Sequence, residues 1–217
     1  MKNVTNYVFC QYCGAKNNSN NKLCTSCFSN KFVKTFDEFK SIVDKKINNL
    51  SNFTNLSELN STLKQLIFID NDKAQFFLGQ CFYSGTYFEK NYKTAVYWLK
   101  KSASKGNPNA QYLLGECFYS GYGVRKNYEK AAELFSLAAE QNNINAILYL
   151  GMCYEFSKGV EQDYKKAVDL YFKAAEQGDS RAKISLSLCY QNGYGVPKDL
   201  EESKKWFLLS INKVTND

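Results

Sequence analysis

Apolar residues between positions 73 and 212 recur with two nested periods. The short period is helical: Ala74, Leu78, Cys81 and Phe82 stand at i, i+4, i+7 and i+8, which is one face of a helix. The long period is 36 residues. The same positions return as Ala110, Leu114, Cys117 and Phe118, as Ala146, Leu150, Cys153 and Tyr154, and as Ala182, Leu186, Cys189 and Tyr190. A fixed period of this length marks a repeat architecture, in which each unit buries its apolar face only against its neighbours. Units two and four then carry turns, Gly121-Tyr-Gly-Val124 and Gly193-Tyr-Gly-Val-Pro197, while units one and three keep only Gly85 and Gly159 and should turn differently in detail. A polar residue follows at a constant position, Asn91, Asn127, Asp163 and Asp199, suited to cap a second helix by accepting from an orphan N–H. That second helix has Ala95, Leu99 and Ala103, with their counterparts, on its apolar side. The pattern predicts an all-α solenoid of antiparallel helix pairs over 73–217, in units 73–108, 109–144, 145–180 and 181–217.

Residues 31–72 lack a turn glycine but read as two helices. Thr35-Phe-Asp-Glu38 is a capping box before Phe36, Phe39, Ile42, Val43 and Ile47, and a second helix is expected from about Ser57 to Phe68. This pair is expected to be a degenerate repeat covering the N-terminal end of the solenoid, joined to what precedes it by a linker around Ser29–Lys34.

The run Ala-x₃-Leu-Gly-x₂-aromatic-x₂-Gly-x-Gly-Val, followed by Lys-Ala and Ala-Ala-x₂-Gly, strongly resembles the Sel-1-like repeat family, a relative of the tetratricopeptide repeats. The resemblance covers 73–212 and is most specific in units two and three. Unit four departs from it at Ser187, Ser203 and Ser210-Ile211. It implies stacked helix pairs that bind peptides or protein surfaces on a concave side lined by the first helix of each pair. Carried onto this chain, that row is Phe76, Gln80 and Tyr83, then Tyr112, Glu116 and Tyr119, then Leu148, Met152 and Glu155, then Ile184, Leu188 and Gln191. The competing expectation is that these side chains pack against neighbouring helices.

Eight cysteines divide between two patterns. Cys81, Cys117, Cys153 and Cys189 occur once per repeat. Neighbouring helix axes lie about 8–10 Å apart, whereas a disulfide needs Cα atoms within about 7 Å, so these four are expected to be small buried hydrophobes. The others form Cys10-x₂-Cys13-x₁₀-Cys24-x₂-Cys27 within residues 1–30. Two Cys-x₂-Cys knuckles supply the four thiolate corners of a tetrahedral Zn²⁺ site, with no corner left for substrate. About 30 residues bury too little surface to fold unaided, so one structural zinc would supply the stability. Two disulfides or four unrelated thiols are the alternatives. Phe9 to Asn17 and Lys22 to Cys27 closely resemble the zinc-ribbon family, with Phe28 where a glycine is usual. The spacing also resembles the Ran-binding-protein type of finger, but Val8 stands where that family has tryptophan.

Charge and composition narrow the function. The chain has 217 residues, a formal net charge of +7 and no histidine. Absence of histidine removes Ser–His and Cys–His nucleophile pairs, and neither paired carboxylates nor a phosphate-cradling glycine loop stands in for them. No enzyme is expected. Residues 1–34 hold five lysines and no acid, which keeps open a nucleic-acid-binding alternative through the ribbon, with Tyr12 and Phe28 as stacking candidates. No apolar signal-like start or membrane-length run is present, so a cytoplasmic protein without membrane insertion is expected. The leading expectation is a non-enzymatic scaffold or adaptor for a protein or peptide. Trp206, Phe207, Leu208, Leu209 and Ile211 in the last helix raise the further expectation of self-association there.

Overall fold

The computed structural model describes residues 7–10, 16–18, 32–33, 72–86 and 88–211. The chain divides into two compact units, Met1–Lys90 and Asn91–Asp217. In the first, strands β1 (Tyr7–Cys10), β2 (Lys16–Asn18) and β3 (Phe32–Val33) form an antiparallel sheet of order β2-β1-β3. Tyr7 pairs with Asn18 and Phe9 with Val33. Helix α1 (Asp72–Ser84) belongs to the same unit and buries Ala74, Leu78 and Cys81. Cys13, Cys24, Cys27, Tyr12, Phe28 and the helical pair expected within 31–72 lie outside the described residues, apart from β3, which falls at the edge of the expected linker.

The second unit holds seven helices among the described residues. They are α2 (Tyr92–Ala103), α3 (Pro108–Ser120), α4 (Tyr128–Glu140), α5 (Ile144–Glu155), α6 (Tyr164–Glu176), α7 (Ser180–Asn192) and α8 (Leu200–Ile211). Each packs on the next in sequence. The starts of α2, α4 and α6 follow the caps read from the sequence: Asn91 Oδ1 accepts from Thr94 N–H, Asn127 Oδ1 from Lys130 N–H, and Asp163 Oδ1 from Lys166 N–H. Asp199 Oδ1 accepts from the N–H groups of Glu201 and Glu202 at the start of α8. The first helices of each pair are capped as regularly. Asn107, Asn143 and Asp179 accept from backbone N–H groups at the starts of α3, α5 and α7.

The turns inside the pairs repeat more faithfully than the glycine count predicts. Gly121 (φ 83°) and Gly123 (φ 70°) have equivalents in Gly193 and Gly195, and the third pair uses Ser157 (φ 52°) and Gly159 (φ 77°). The third turn keeps the same path but differs in detail, as expected: its helix ends at Phe156 (φ −104°) in place of the left-handed glycine cap of Gly121 and Gly193. Ser157 takes the left-handed position despite its Cβ, and its hydroxyl donates to Val160 O at 3.2 Å. Gly123, Gly159 and Gly195 are needed for space as well as for φ. A Cβ on Gly123 would lie 2.4 Å from the carbonyl of Tyr92, and one on Gly159 2.1 Å from that of Tyr128. Each turn is thus pressed onto the start of the second helix of the preceding pair. Ring stacks seal the same place, Tyr122 on Tyr92 and Tyr194 on Tyr164, each with centroids 4.8 Å apart.

The core of this unit is a seam of small and large residues. Ala131, Ala138, Ala146, Ala167, Ala174 and Ala182 are fully buried, and their size lets helices approach closely around Phe135 and Tyr171. Both rings are 0% exposed, and burial of such a side chain stabilises by roughly 2–3 kcal/mol. Each ring lies against a mid-helix glycine of its partner helix. A Cβ on Gly115 would meet the Phe135 ring at 2.7 Å, and one on Gly151 the Tyr171 ring at 2.6 Å. Cys81, Cys117, Cys153 and Cys189 are buried free thiols, as their spacing predicts.

Candidate functional site

The row of first-helix residues predicted to line a groove is distributed unevenly between core and surface. On α1, Phe76 and Tyr83 are half-buried and Gln80 is exposed. On α3, Tyr112, Glu116 and Tyr119 are half-buried. On α5, Leu148 is only 3% exposed, while Met152 and Glu155 are half-buried. On α7, Ile184, Leu188 and Gln191 are all exposed.

The cause is the way consecutive pairs nest. Helix α5 packs against α4, and its Tyr149 ring reaches Tyr112 at 5.6 Å, Tyr119 at 6.0 Å and Phe135 at 5.2 Å. Helix α7 packs against α6, where Ser185 hydrogen-bonds the Tyr171 hydroxyl and Cys189 lies nearby. Within Asn91–Asp217, α5 therefore lies over the row on α3, and α7 comes up to the Tyr171 and Glu155 end of the row on α5. On α5 the expectation of an open surface is corrected at Leu148, which is core; Tyr112, Glu116, Tyr119, Met152 and Glu155 stand half-buried at the seam between repeats.

Polar groups at this seam are tied up within the fold. Tyr171 Oη donates to Glu155 Oε2 at 2.5 Å, which gives Glu155 a structural partner. Burial, then this hydrogen bond, pushes the Tyr171 phenol above its ordinary range. Tyr112 and Tyr149 are also pushed up, first by burial and then by the Glu116 carboxylate. Amide and guanidinium side chains tie helices together along one edge. Gln141 Nε2 donates to Gln111 Oε1 at 2.9 Å within one pair, while the bonds from Asn143 Nδ2 to Asn109 Oδ1 at 2.8 Å and from Arg181 Nη2 to Asn145 Oδ1 at 2.5 Å join the first helices of consecutive pairs. Among the described residues no group of three or more Cys, Asp or Glu side chains is arranged to hold a metal.

At the last pair the row is uncovered and lines a cavity of about 370 Å³ with α8. Ile184, Ser187, Leu188 and Gln191 form one wall; Leu200, Ser203, Lys204 and Phe207 form the other. The sequence reading identified the first wall but not Leu200 and Lys204. Extending the 36-residue register finds them, since Leu200 is the equivalent of Tyr92, Tyr128 and Tyr164. Phe207 is the equivalent of Phe135 and Tyr171, yet it is 49% exposed. Ser187 stands where those rings have a glycine, and its hydroxyl instead contacts the Ser203 hydroxyl at 3.1 Å. Trp206, by contrast, packs edge-on against Phe172 with centroids 5.4 Å apart, so the exposed apolar residues of α8 are Leu200, Phe207, Leu208, Leu209 and Ile211.

Nested, translationally repeated helix pairs with a shared seam define the class: a tandem-repeat α-solenoid. The Sel1 repeat model matches residues 72–107, 108–143, 144–179 and 180–213, and the chain belongs to that family. It is similar to the crystal structure of a Sel1 repeat protein from Oxalobacter formigenes, at 31% identity and a TM-score of 0.70, covering 76% of this chain and 68% of that one. It is also similar to c5321, a protective antigen of uropathogenic Escherichia coli displaying an SLR fold, at 29% identity and a TM-score of 0.70. That match covers 78% of this chain and 36% of the antigen. No curated protein matches the chain at a significant level.

Proposed function

We propose that the chain is a non-enzymatic interaction scaffold that binds a protein or peptide where the first-helix row is open, at Ile184, Leu188 and Gln191. The observation that carries this reading is the contrast along one register. Leu148 is 3% exposed, whereas its equivalent Ile184 is 43% exposed and still aliphatic. Apolar side chains grouped in an exposed cavity are what a partner's anchors need. Tyr112, Tyr119 and Leu148 then serve the stacking of repeats, and Phe76, Gln80 and Tyr83 remain the corresponding row on α1. The paired substitution Ile184→Glu and Leu188→Glu is expected to abolish capture of the partner while leaving far-ultraviolet dichroism unchanged, since both residues are exposed. Recovery of the same proteins by variant and wild type would overturn the assignment.

For the N-terminal unit the reading is one structural Zn²⁺ held by Cys10, Cys13, Cys24 and Cys27. The ligand spacing supports it, and Cys10 is the last residue of β1. A zinc content near one per chain, lost in Cys13→Ser, is expected; none, or two, would refute it. Binding of single-stranded nucleic acid by the full chain, lost on chelation, would instead move the function to the ribbon. Four buried free thiols support the cytoplasm, a reducing compartment, as the place of action. No helix among the described residues is long and apolar enough to cross a membrane.

A further inference from the structure

The internal repeat shows what fits the open cavity, because the same cavity occurs earlier in the chain already filled. Between α3 and α4 it is occupied by α5, and between α5 and α6 by α7. Both occupants are helices with the same buried face: Ala146, Leu150 and Cys153 of α5, and Ala182, Leu186 and Cys189 of α7. The cysteine of each comes near a tyrosine of the preceding pair, Cys153 near Tyr119 and Cys189 near Tyr171. The spacing is i, i+4, i+7, with a small residue at each end and leucine between. At i+3 the two differ: Tyr149 meets the Phe135 ring and Ser185 the Tyr171 hydroxyl.

Between α7 and α8 the walls keep the character of these filled copies. Ile184 and Leu188 continue Leu148 and Met152; Leu200 continues Tyr164; Phe207 continues Tyr171. A repeat array whose end meets only water carries a polar outer face there. Here Leu200 is 61% exposed and Phe207 49%. One polar change has been made. Lys204 stands where Val96, Ala132 and Val168 are buried, and no ion pair joins it to a carboxylate among the described residues.

We propose, resting on the scaffold reading above, that this cavity receives an amphipathic α-helix of a partner protein. The helix would present small–x₃–Leu–x₂–small inward in the manner of α5 and α7, with a carboxylate placed to meet Lys204. The interface is the seam between repeats continued by one further helix supplied in trans. It differs from groove binding along the stack, since the peptide runs as a helix across the end.

The test uses the full chain and a labelled, side-chain-stapled helical peptide with the sequence of residues 180–192. Saturable binding is expected by fluorescence anisotropy. Phe207→Glu in the protein, or Leu186→Asp in the peptide, should weaken it at least about tenfold, the scale of losing one buried anchor. Tyr97→Glu, an exposed ring on α2, should change nothing. No saturation at about millimolar peptide would overturn the helical mode. If the partner loss in Ile184→Glu, Leu188→Glu nevertheless persisted, the scaffold reading would stand and only the helix would be wrong. A dimer seen by sedimentation and dissolved by Phe207→Glu would name a second copy as occupant instead. Binding gained only on removing residues 212–217 would name that segment.

Discussion

A single Cβ decides how closely two helices of a pair can lie. Gly115→Ala puts a methyl carbon 2.7 Å from the ring of Phe135, which has no exposed side to retreat to, so a loss of about 1–3 kcal/mol in urea unfolding is expected. Gly123→Ala should cost more, because the obstacle is the backbone of Tyr92 and the residue must also hold φ 70°. The repeat cysteines make a different prediction. Burial pushes Cys117, Cys153 and Cys189 up to about 12 and Cys81 up to about 11. A thiol whose folded value is raised holds its full stabilisation below the unfolded value near 9. Above it the unfolded chain ionises first, so stability falls between pH 9 and 12, by up to about 1.4 kcal/mol per unit for each thiol. Urea midpoints should be level from pH 7 to 8.5 and drop by pH 10.5; a level curve throughout would contradict the buried, neutral thiols. The burial of these cysteines was legible because their spacing coincides with the helical core face. The glycine–ring notch was not, since periodicity marks which residues share a face and is silent on what the opposite helix places there.

Helix starts carry the regularity of the elements. Asn127→Ala removes the acceptor that Lys130 N–H meets at 2.7 Å, and a loss of about 1 kcal/mol is expected, with most of it regained in Asn127→Asp. Denaturant midpoints of the two variants decide this. The caps of second helices were readable because a glycine turn sets each apart from the helix before it. Asn107, Asn143 and Asp179 escaped notice although they obey the same 36-residue period. Only a few residues separate α2 from α3, α4 from α5 and α6 from α7, so these caps read as loop filler. The predicted groove fared differently for a related reason. Tyr112, Tyr119, Leu148 and Ile184 share one helix face, and sequence periodicity identifies that face correctly. Whether it meets water depends on the tilt of the next helix pair, which enters only with three-dimensional nesting. Within the stack Tyr149 covers the row; past α7 nothing equivalent does among the described residues.

Across the whole molecule, the contacts that hold one pair to the next are the same contacts shifted by one unit. Gly123 presses on Tyr92, Gly159 on Tyr128 and Gly195 on Tyr164; Tyr149 meets Phe135 as Ser185 meets Tyr171. Such an array is stabilised by nearest neighbours and holds few constraints of longer range. The length of the stack is consequently free to change in whole units. Excision of residues 144–179 would join Asn143 to Ser180, leaving an asparagine to cap the helix now led by Ser180. It would bring Gly195 onto Tyr128, a pairing Gly159 already makes, and Ser185 towards Phe135, where the hydrogen bond it makes with the Tyr171 hydroxyl is lost. The shortened chain should fold cooperatively, with a lower melting temperature, whereas removal of 18 residues from the same region should not fold. Unequal crossing-over at a 36-codon period would then lengthen or shorten this protein in steps that selection can keep, with the α7–α8 end carried along unaltered at each step.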